Sequence, residues 1–189
     1  HEGSGKVIKI GPGVSFVKIN DFVVMHWKKG LGIDSIPAKY KWPKKNITVN
    51  SGLVTTFSEY SIVSENRLTK INNNIDLKLA PLFGCAITTG FGIIKNDAVS
   101  SIGDSIVVIG CGGVGINTII AANLSSNYPI IAVDIDNKKL NLAKKFGADI
   151  ILNAKHRDFI YKLDKLKKKY SIDFCIETTG IVKNIELAY

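Results

Sequence analysis

The amino-acid sequence predicts an α/β protein whose second half is a doubly wound parallel sheet. Residues 106–109 form a short, apolar, β-branched run, as expected of a parallel strand that is covered on both faces. Gly110, Gly112 and Gly115 follow that strand with the spacing G-x-G-x-x-G, and a second apolar run ends at Asp134. A glycine turn between a buried strand and a helix is typical of sheets that bind dinucleotides.

The glycine spacing also predicts a cofactor. The first glycine of such a turn allows a tight bend, the second lets a pyrophosphate approach the backbone, and the third lets the helix pack on its strand. The helix N-terminus offers N–H groups and a partial positive charge to the phosphates. A carboxylate at the end of the second strand favours a free ribose 2′-hydroxyl over a 2′-phosphate, and so NAD over NADP. A purely structural glycine turn is the alternative. The predicted NAD-binding residues are Gly110, Gly112, Gly113, Val114, Gly115 and Asp134.

Residues before about 86 are predicted to be mostly β-structure. Strands are expected within residues 7–10, 14–24 and 54–63 and from Leu68 onward, and a short helix is expected before Gly84. Asn20 is expected in a turn, because asparagine tolerates the left-handed conformation.

Residues 25–52 read as a basic, turn-rich loop without a clear period, and it contains Trp27 and Trp42. We interpret this loop as an ordered surface lobe, because the two tryptophans are expected to pack on other residues. A substrate-side or interface loop and a mobile segment are the alternatives.

The second half alternates strands and helices. A helix at residues 86–95 precedes strands at 105–110, 130–135, 149–152 and 172–178, and a helix follows each strand. The series implies right-handed crossovers and a parallel sheet that is only partly present. The apolar spacing predicts that the helices turn these residues inward: Ile116, Ile119, Ile120, Leu124, Leu140, Ala143, Phe146, Phe159, Ile160, Leu163, Leu166 and Tyr170.

Composition argues against several classes of protein. Of the 189 residues, 46% are hydrophobic and 22% are charged, which is ordinary for a globular protein. The net charge is +9, but nearly all basic residues are lysines spread along the chain, so we expect no nucleic-acid partner. The sequence has neither an apolar run of membrane-spanning length nor a signal sequence, so we expect no membrane partner and a cytoplasmic location.

The cysteines and two of the histidines carry no motif of their own. Cys85, Cys111 and Cys175 are widely spaced, do not form a disulfide framework and suit a reducing compartment. We interpret Cys111 and Cys175 as packing residues of the sheet, and His26 and His156 as surface residues.

Several motifs resemble those of the zinc-type medium-chain dehydrogenase/reductase family, nearest its alcohol dehydrogenase branch. The family's zinc signature, without its leading glycine, is similar to His1-Glu2-x-x-Gly5-x5-Gly11-x2-Val14. The resemblance extends to Val54-Thr-Thr-Phe57-x-Glu59-Tyr60 through Ser64-Glu65-Asn66-Arg67, to Gly84-Cys85-x3-Thr89-Gly90-Phe91-Gly92, and to Gly110-x-Gly-Gly-Val-Gly115 with Asp134. It covers nearly the whole chain.

The resemblance implies two partial domains, a GroES-like catalytic domain at residues 1–86 and a Rossmann domain that binds NAD at residues 87–189. It implies that His1 and Cys85 bind one catalytic zinc ion per subunit, and imidazole nitrogen and thiolate sulfur do suit zinc. Further residues match family positions beside the zinc (Glu2), close to the nicotinamide (Thr89 and Thr178) and near the adenosine ribose (Lys139).

Two departures from the family pattern affect these expectations. The family's first zinc ligand and its proton-relay hydroxyl lie upstream of the His-Glu motif, so we expect the third protein ligand to lie upstream of this chain and the fragment itself to be impaired. Residues 25–52 lack the four cysteines with which many relatives bind a structural zinc, so we expect no structural zinc. The part of the sheet that usually forms the family's dimer contact is also missing, and we expect the intact protein to be a homo-oligomer.

The leading hypothesis is an NAD-dependent, alcohol dehydrogenase-like enzyme that transfers hydride between a small-molecule alcohol or aldehyde and NAD with the help of zinc. One alternative is a zinc-free NAD(P)H-dependent reductase of quinones or enoyl thioesters. Another is a nucleotide-binding protein without catalysis. For the two predicted ligands, the alternatives are a terminal His1 without function and a buried structural Cys85.

Overall fold

The computed structural model describes all 189 residues and divides the chain into two compact units, His1–Cys85 and Ala86–Tyr189. The first unit contains mainly strands, and the second alternates strands with helices. None of the helices combines the length and the apolar character that crossing a membrane requires.

The first unit contains five short strands: β1 (Gly3–Lys6), β2 (Phe22–Met25), β3 (Lys39–Trp42), β4 (Ile47–Asn50) and β5 (Leu68–Ile71). Three of them form an antiparallel sheet in the order β1-β2-β5, and the other two form a separate hairpin. Short 3₁₀-helical turns cover Pro43–Lys45, Glu65–Arg67 and Ala80–Gly84. The predicted short helix before Gly84 is therefore a 3₁₀ turn.

The strands predicted at residues 7–10, in the first part of 14–24 and at 54–63 are wrong. The first strand lies earlier, because pairing of Gly3 with Met25 outweighs the low strand propensity of the glycines in β1. In the segment 54–63 hydroxyls bond to nearby carbonyls, as Ser61 Oγ does to the Thr55 carbonyl at 2.6 Å, and such bonds compete with a sheet ladder. Asn20 has a φ of +77°, which confirms the predicted left-handed turn.

The predicted loop at residues 25–52 contains regular structure that its sequence did not indicate. Strands β3 and β4 pair with Trp42 opposite Ile47, and Asn46 turns the chain between them with a φ of +50°. The Lys45 ammonium lies 4.7 Å over the Trp42 ring. The expectation of a segment without period is wrong for residues 39–50, and the hairpin agrees with the interpretation as an ordered surface lobe.

A buried carboxylate joins three segments of the first unit. Glu65 is 4% exposed, and its Oε1 accepts hydrogen bonds from the backbone N–H groups of Ser15, at 2.7 Å, and of Phe16. Its Oε2 accepts a hydrogen bond from the N–H of Ile33 at 3.0 Å. These bonds, that of Ile33 foremost, hold the pKa of Glu65 below its ordinary value. A side chain at Gly32, where φ is +104°, would meet the same carboxylate.

The second unit is built on four parallel strands: β6 (Ile106–Ile109), β7 (Ile130–Asp134), β8 (Ile150–Asn153) and β9 (Phe174–Glu177), in the order β8-β7-β6-β9. Its helices are α1 (Ala86–Gly92), which continues as a π-helical turn at Ile93–Ala98, then α2 (Gly113–Leu124), α3 (Asn137–Lys145), α4 (Phe159–Tyr170) and α5 (Val182–Ala188). This alternating arrangement confirms the predicted α/β class.

Apolar side chains cover the parallel sheet on both faces. Val108 belongs to one buried cluster together with Ile119 of α2, and Val107 belongs to a second cluster together with Phe159 of α4. Neighbouring residues of β6 point to opposite faces of the sheet, so each face has its own cluster. The central strand is thus enclosed, as its apolar sequence predicts.

Three of the residues predicted to turn inward are exposed instead. Leu124 is 70% exposed, Ile160 52% and Phe146 38%. All three lie at or next to a helix end. On α2 the small residues Ala121 and Ala122 are buried instead of Leu124. Side-chain size and closeness to the sheet, and not apolar spacing alone, decide which residues are buried.

We expect Glu65→Gln to lower the melting temperature of the protein by several degrees at pH 7. The amide keeps the shape of the side chain but cannot accept all three N–H groups as a carboxylate does. Because the folded-state pKa lies below the ordinary value of 4.5, the stabilisation is present above that value and is lost as the pH falls through the lowered pKa.

Thermal unfolding between pH 7 and about pH 3 checks this expectation: the difference between the two proteins should shrink towards the acid end. Glu59→Gln is the matched control, because Glu59 is exposed and should not alter the melting temperature. A difference that stays constant with pH would show that the charge of Glu65 does not stabilise the fold.

Candidate active site

The glycine turn after β6 has a geometry that only glycine allows at its first position. Gly110 has a φ of +96°, and its N–H donates to the Val133 carbonyl of β7 at 2.8 Å. A Cβ at this position would lie 2.7 Å from Thr178 Oγ1. Both the backbone conformation and the nearby threonine therefore require glycine.

The third glycine of the motif is required by packing. A Cβ at Gly115 would lie 1.8 Å from the Gly110 carbonyl oxygen, far closer than any real contact. Helix α2 therefore lies directly against the turn that precedes it, as the spacing predicts. The fold itself explains Gly110 and Gly115 without any ligand.

The second glycine has no such explanation within the fold. A Cβ at Gly112 would have no heavy atom within 4 Å, and its φ of −79° suits any residue. Gly112 is also the N-cap of α2 and provides no side-chain hydrogen bond to the first turn. Open space next to an uncapped helix N-terminus fits a phosphate group that must approach the backbone. The turn thus fits the pyrophosphate of a dinucleotide.

Asp134 ties the end of β7 to the same turn. Its Oδ2 accepts a hydrogen bond from the Cys111 N–H at 2.7 Å, and its Oδ1 accepts one from the Asp136 N–H at 2.9 Å. Each carboxylate oxygen can accept a further bond, so ribose hydroxyls can still bind. Lys139 is exposed on α3, two residues after the start of that helix.

Cys111 packs in the core as predicted. Its side chain is 2% exposed, and burial, with the nearby Asp134 charge, raises the pKa of its thiol to about 12. Cys175 is half-buried in the second cluster, and burial raises the pKa of its thiol as well. Both remain neutral thiols at physiological pH. All three cysteines are free of disulfides.

Thr178 supports the turn from the other neighbouring strand. Its N–H donates to the Ile109 carbonyl at 2.9 Å, and its hydroxyl lies 2.9 Å from the Gly110 carbonyl oxygen and 3.1 Å from that of Ile109. The preceding Glu177 accepts hydrogen bonds from the N–H groups of Thr179, at 2.6 Å, and Gly180, at 3.0 Å. The sequence did not indicate these hydrogen bonds, because Thr178 lies about 70 residues from Ile109 and Gly110 in the chain.

Helix α1 lies at backbone distance from α2. A Cβ at Gly90 would lie 2.6 Å from backbone atoms of Asn117 and Thr118. Because Gly90 has no side chain, the backbone of α2 can pack directly against α1 at this position. Thr89 precedes this contact and is exposed.

In the first unit, Gly84, which precedes Cys85, lies close to the backbone of Met25 and of His1. A Cβ at Gly84 would lie 2.3 Å from the Met25 carbonyl oxygen and 3.5 Å from that of His1. His1 and Glu2 are exposed, and Cys85 is half-buried. An imidazole and a thiol suit zinc as donors. No group of three or more histidine, cysteine, aspartate or glutamate side chains in the structure could hold a metal ion.

An aromatic and cationic group next to His1 was not predicted as a unit. The ring centroids of His1 and Trp27 lie 6.1 Å apart with an interplanar angle of 52°. The Arg67 guanidinium carbon lies 5.5 Å from the Trp27 ring. Arg67 and its neighbour Asn66 are each 4% exposed. Asn66 and Arg67 directly follow Glu65 and are polar residues buried in the protein. The sequence around them has a strand-like pattern, so it did not indicate that these two side chains are buried.

Comparison with known proteins supports a dehydrogenase. The family model of zinc-binding dehydrogenases matches residues 113–189. An S-(hydroxymethyl)glutathione dehydrogenase of Escherichia coli O6:H1 is 32% identical over 215 residues, which cover 100% of this chain and 58% of that protein. The corresponding protein of Shigella sonnei is 31% identical, again over 100% of this chain and 58% of its own length. The chain thus spans less than two thirds of these curated relatives.

Solved structures agree with this result. The benzyl alcohol dehydrogenase of Acinetobacter calcoaceticus is 27% identical with a TM-score of 0.82 and is matched over 100% of this chain and 57% of its own. An alcohol dehydrogenase zinc-binding domain protein from Burkholderia ambifaria is 25% identical with a TM-score of 0.74, over 98% of this chain and 56% of its own.

The parallel sheet, its glycine turn and these matches define an α/β dehydrogenase fold. Together the matches support the predicted resemblance to the zinc-type medium-chain dehydrogenase/reductase family, nearest its alcohol dehydrogenase branch.

We expect Gly115→Ala and Gly112→Ala to differ sharply in stability. A methyl group at position 115 collides with the Gly110 carbonyl, so we expect a loss of about 3 kcal/mol or more in the free energy of unfolding. A methyl group at position 112 enters open space, and we expect a change within about 0.5 kcal/mol. Urea denaturation of both variants measures the difference. Equal losses would contradict the packing described for α2.

Proposed function

We propose that the intact protein is an NAD-dependent and zinc-dependent oxidoreductase that transfers hydride between a small alcohol or aldehyde and NAD. The observation that carries this proposal is the open space at Gly112, beside the uncapped N-terminus of α2. A glycine that the fold does not require is best explained by a ligand that does require it. The resemblance to the alcohol dehydrogenase branch supports this chemistry.

The cofactor would be bound by the turn and the ends of two strands. Backbone N–H groups at Gly112, Gly113 and Val114 would receive the pyrophosphate, with the partial positive charge of the α2 N-terminus. The Asp134 carboxylate would accept hydrogen bonds from the adenosine ribose, where it would repel the extra phosphate of NADP. Lys139 is proposed to lie near that ribose.

Thr178 would have two roles in cofactor binding: it would support the glycine turn, and it would lie close to the cofactor itself. Its hydroxyl lies 2.9 Å from the Gly110 carbonyl oxygen, and this contact fixes the bend that presents the α2 N-terminus. We propose, as the family pattern implies, that Thr178 and Thr89 also lie close to the nicotinamide. These residues would orient the ring that accepts the hydride and exclude water from it.

His1 and Cys85 would hold a catalytic zinc ion, one per subunit. Catalytic zinc takes three protein ligands and keeps one open position, so the third ligand would come from a part of the intact protein outside this chain. When bound, zinc supplies a Lewis acid that lowers the pKa of a substrate hydroxyl. Glu2 would lie beside the zinc. Residues 25–52 contain no cysteine, and we propose that no structural zinc binds there.

The relatives and the composition support proposals for the substrate class, the partners and the cellular location. The curated relatives are S-(hydroxymethyl)glutathione dehydrogenases, and one solved relative is a benzyl alcohol dehydrogenase. An alcohol or aldehyde is therefore the proposed substrate, without nucleic-acid or membrane partners. We further propose a GroES-like catalytic domain at residues 1–86, an NAD-binding domain at residues 87–189, a homo-oligomer and a cytoplasmic location. The cysteines form no disulfide, which suits a reducing compartment.

The decisive experiment is alcohol-dependent reduction of NAD by the intact protein, with and without a zinc chelator. We expect chelation and Cys85→Ser each to lower kcat/KM by about a hundredfold or more, because zinc is lost or misplaced. Binding of NAD, followed by calorimetry, should not change. Cys175→Ser is the matched control, because Cys175 lies in the second unit among sheet residues and its loss should leave the rate within about twofold.

The other hypotheses predict different results. Activity that survives chelation, with quinone or enoyl thioester substrates, would identify a zinc-free reductase. Tight NAD binding without turnover of any alcohol would identify a nucleotide-binding protein without catalysis.

We expect Gly112→Ala to raise the dissociation constant of NAD by about tenfold or more, because its methyl group occupies the space the pyrophosphate needs. Calorimetric titration of the variant with NAD measures the change. The unfolding free energy of the same variant serves as its own control, since the fold tolerates a Cβ there. An unchanged dissociation constant would mean that the turn is structural only.

A further inference from the structure

The hairpin of β3 and β4 in the first unit has one apolar face and one polar face. Residues that lie directly opposite each other on paired strands point to the same side, and neighbours along a strand point to opposite sides. The pairing of Trp42 with Ile47 and of Lys41 with Thr48 therefore sorts the hairpin into two faces. The apolar face consists of Tyr40, Trp42, Ile47 and Val49, and the polar face consists of Lys39, Lys41, Thr48 and Asn50.

The apolar face of the hairpin is only partly covered. Tyr40 connects this face to the rest of the unit, because its hydroxyl oxygen accepts a hydrogen bond from the Ile62 N–H at 2.8 Å. Trp42, Ile47 and Val49 are each between 41% and 47% exposed. A two-stranded hairpin is at best marginally stable in water and normally gains stability from further strands or from packing. Half-exposed apolar residues on such a hairpin indicate a surface that a partner covers.

The two edges of this small sheet differ in charge. Its strand order is β3-β4, so each strand has one edge without a neighbouring strand. Strand β3 carries Lys39 and Lys41, and lysines on an edge strand discourage pairing with another chain. Strand β4 has the sequence Ile-Thr-Val-Asn, without charge or proline, and all of its residues are exposed. Strand β4 is therefore the edge at which another strand can pair.

A second copy of β4 fits this edge. Antiparallel strands place residues opposite each other only if these residues point to the same side of the sheet. A two-fold axis at Thr48 meets this condition: Thr48 faces Thr48 of the second copy, and Ile47 faces Val49 of the second copy. A Thr–Thr pair stabilises a sheet by a hydrogen bond, and the two apolar side chains bury each other. The strand is therefore complementary to itself.

The size of the exposed apolar surface limits what this contact can do. Trp42, Ile47 and Val49 together expose about 250 Å², whereas each partner of a stable complex buries about 800 Å². Pairing through β4 alone is therefore too weak to hold two copies together in dilute solution. It becomes effective when another contact already holds the copies, because linkage raises the effective concentration for the second contact to the millimolar range.

We propose that β4 is a second contact of the homo-oligomer, at which two copies of the chain pair antiparallel about a two-fold axis at Thr48. The inference rests on the homo-oligomer of the proposed function, but it does not depend on zinc, NAD or the reaction. Two dimers then join into a tetramer with closed symmetry, in which the hairpins of one dimer pair with those of the other.

The test exchanges the two residues of one cross-strand pair, Lys41→Thr together with Thr48→Lys, in the intact protein. The exchange keeps the net charge and the Lys–Thr pair within each hairpin. It brings two lysine side chains face to face at the two-fold axis, where like charges destabilise pairing. We expect sedimentation equilibrium to show half the mass of the wild-type assembly. Lys41→Thr alone is the matched control and should leave the mass unchanged.

A mixing experiment tests the predicted register. Lys41→Thr together with Thr48→Glu places two carboxylates at the axis and should also halve the mass by itself. Mixed in equal amounts, the lysine and glutamate variants should recover the wild-type mass, because opposite charges then face each other. A mixture that keeps the halved mass would overturn the pairing at Thr48.

A cross-link gives a second readout at the same position. Thr48→Cys brings two identical thiols together at the axis, so we expect oxidation to link two copies at least about tenfold faster than in Lys41→Cys, where the thiols lie away from the axis. A wild-type protein that sediments as a monomer would overturn both the homo-oligomer and this inference. An oligomer whose mass none of these variants alters would overturn this inference alone. Alcohol oxidation, measured on the same samples, reports separately on the proposed chemistry.

Discussion

The second unit depends on one steric constraint, the contact between the Gly110 carbonyl and position 115. The carbonyl oxygen lies where a side chain at that position would begin. Because of this contact, α2 packs directly against the turn at the carboxyl end of β6. Parallel strands end at the same edge of a sheet. The two strands that flank β6 therefore bring Asp134 and Thr178 to the same turn, where both bind its backbone.

The first unit is organised differently, by buried polar groups. Its buried residues include the continuous run Ser64 to Arg67, as well as Asp21. The Glu65 carboxylate holds two distant loops, and the Arg67 carbonyl and guanidinium hold the segment of Trp27. Polar contacts of this kind define geometry more narrowly than apolar packing, because each has one partner and one direction. The three-residue turn Glu65–Arg67 thus contacts the segment whose Trp27 ring lies beside His1.

The sequence predicted the second unit well and the first unit poorly. The cause is that the strands of the two units are stabilised in different ways. In a parallel sheet the strands are enclosed on both faces, so the apolar run at 106–109 and the glycines after it leave little choice. In β1, by contrast, glycine and lysine form a strand only because β2 lies beside them. Nothing local reveals such a partner. The role of Glu65 was hidden for the same reason, since its donors lie 32 to 50 residues away in the chain. The structure places His1 next to Gly84, but their roles as ligand and neighbour of a ligand remain predictions.

Within each motif the structure separates the residues that the fold needs from those that only a ligand needs. In Gly84-Cys85, the Met25 carbonyl oxygen leaves no room for a side chain at position 84. The role of the cysteine that follows is a prediction from its chemistry, since thiolate sulfur suits zinc. In the glycine turn, two of the three glycines are required by the backbone and would be glycine in any protein with this bend. The spacing G-x-G-x-x-G is therefore weak evidence by itself, and the middle glycine, which has only open space around it, is the position that indicates a cofactor.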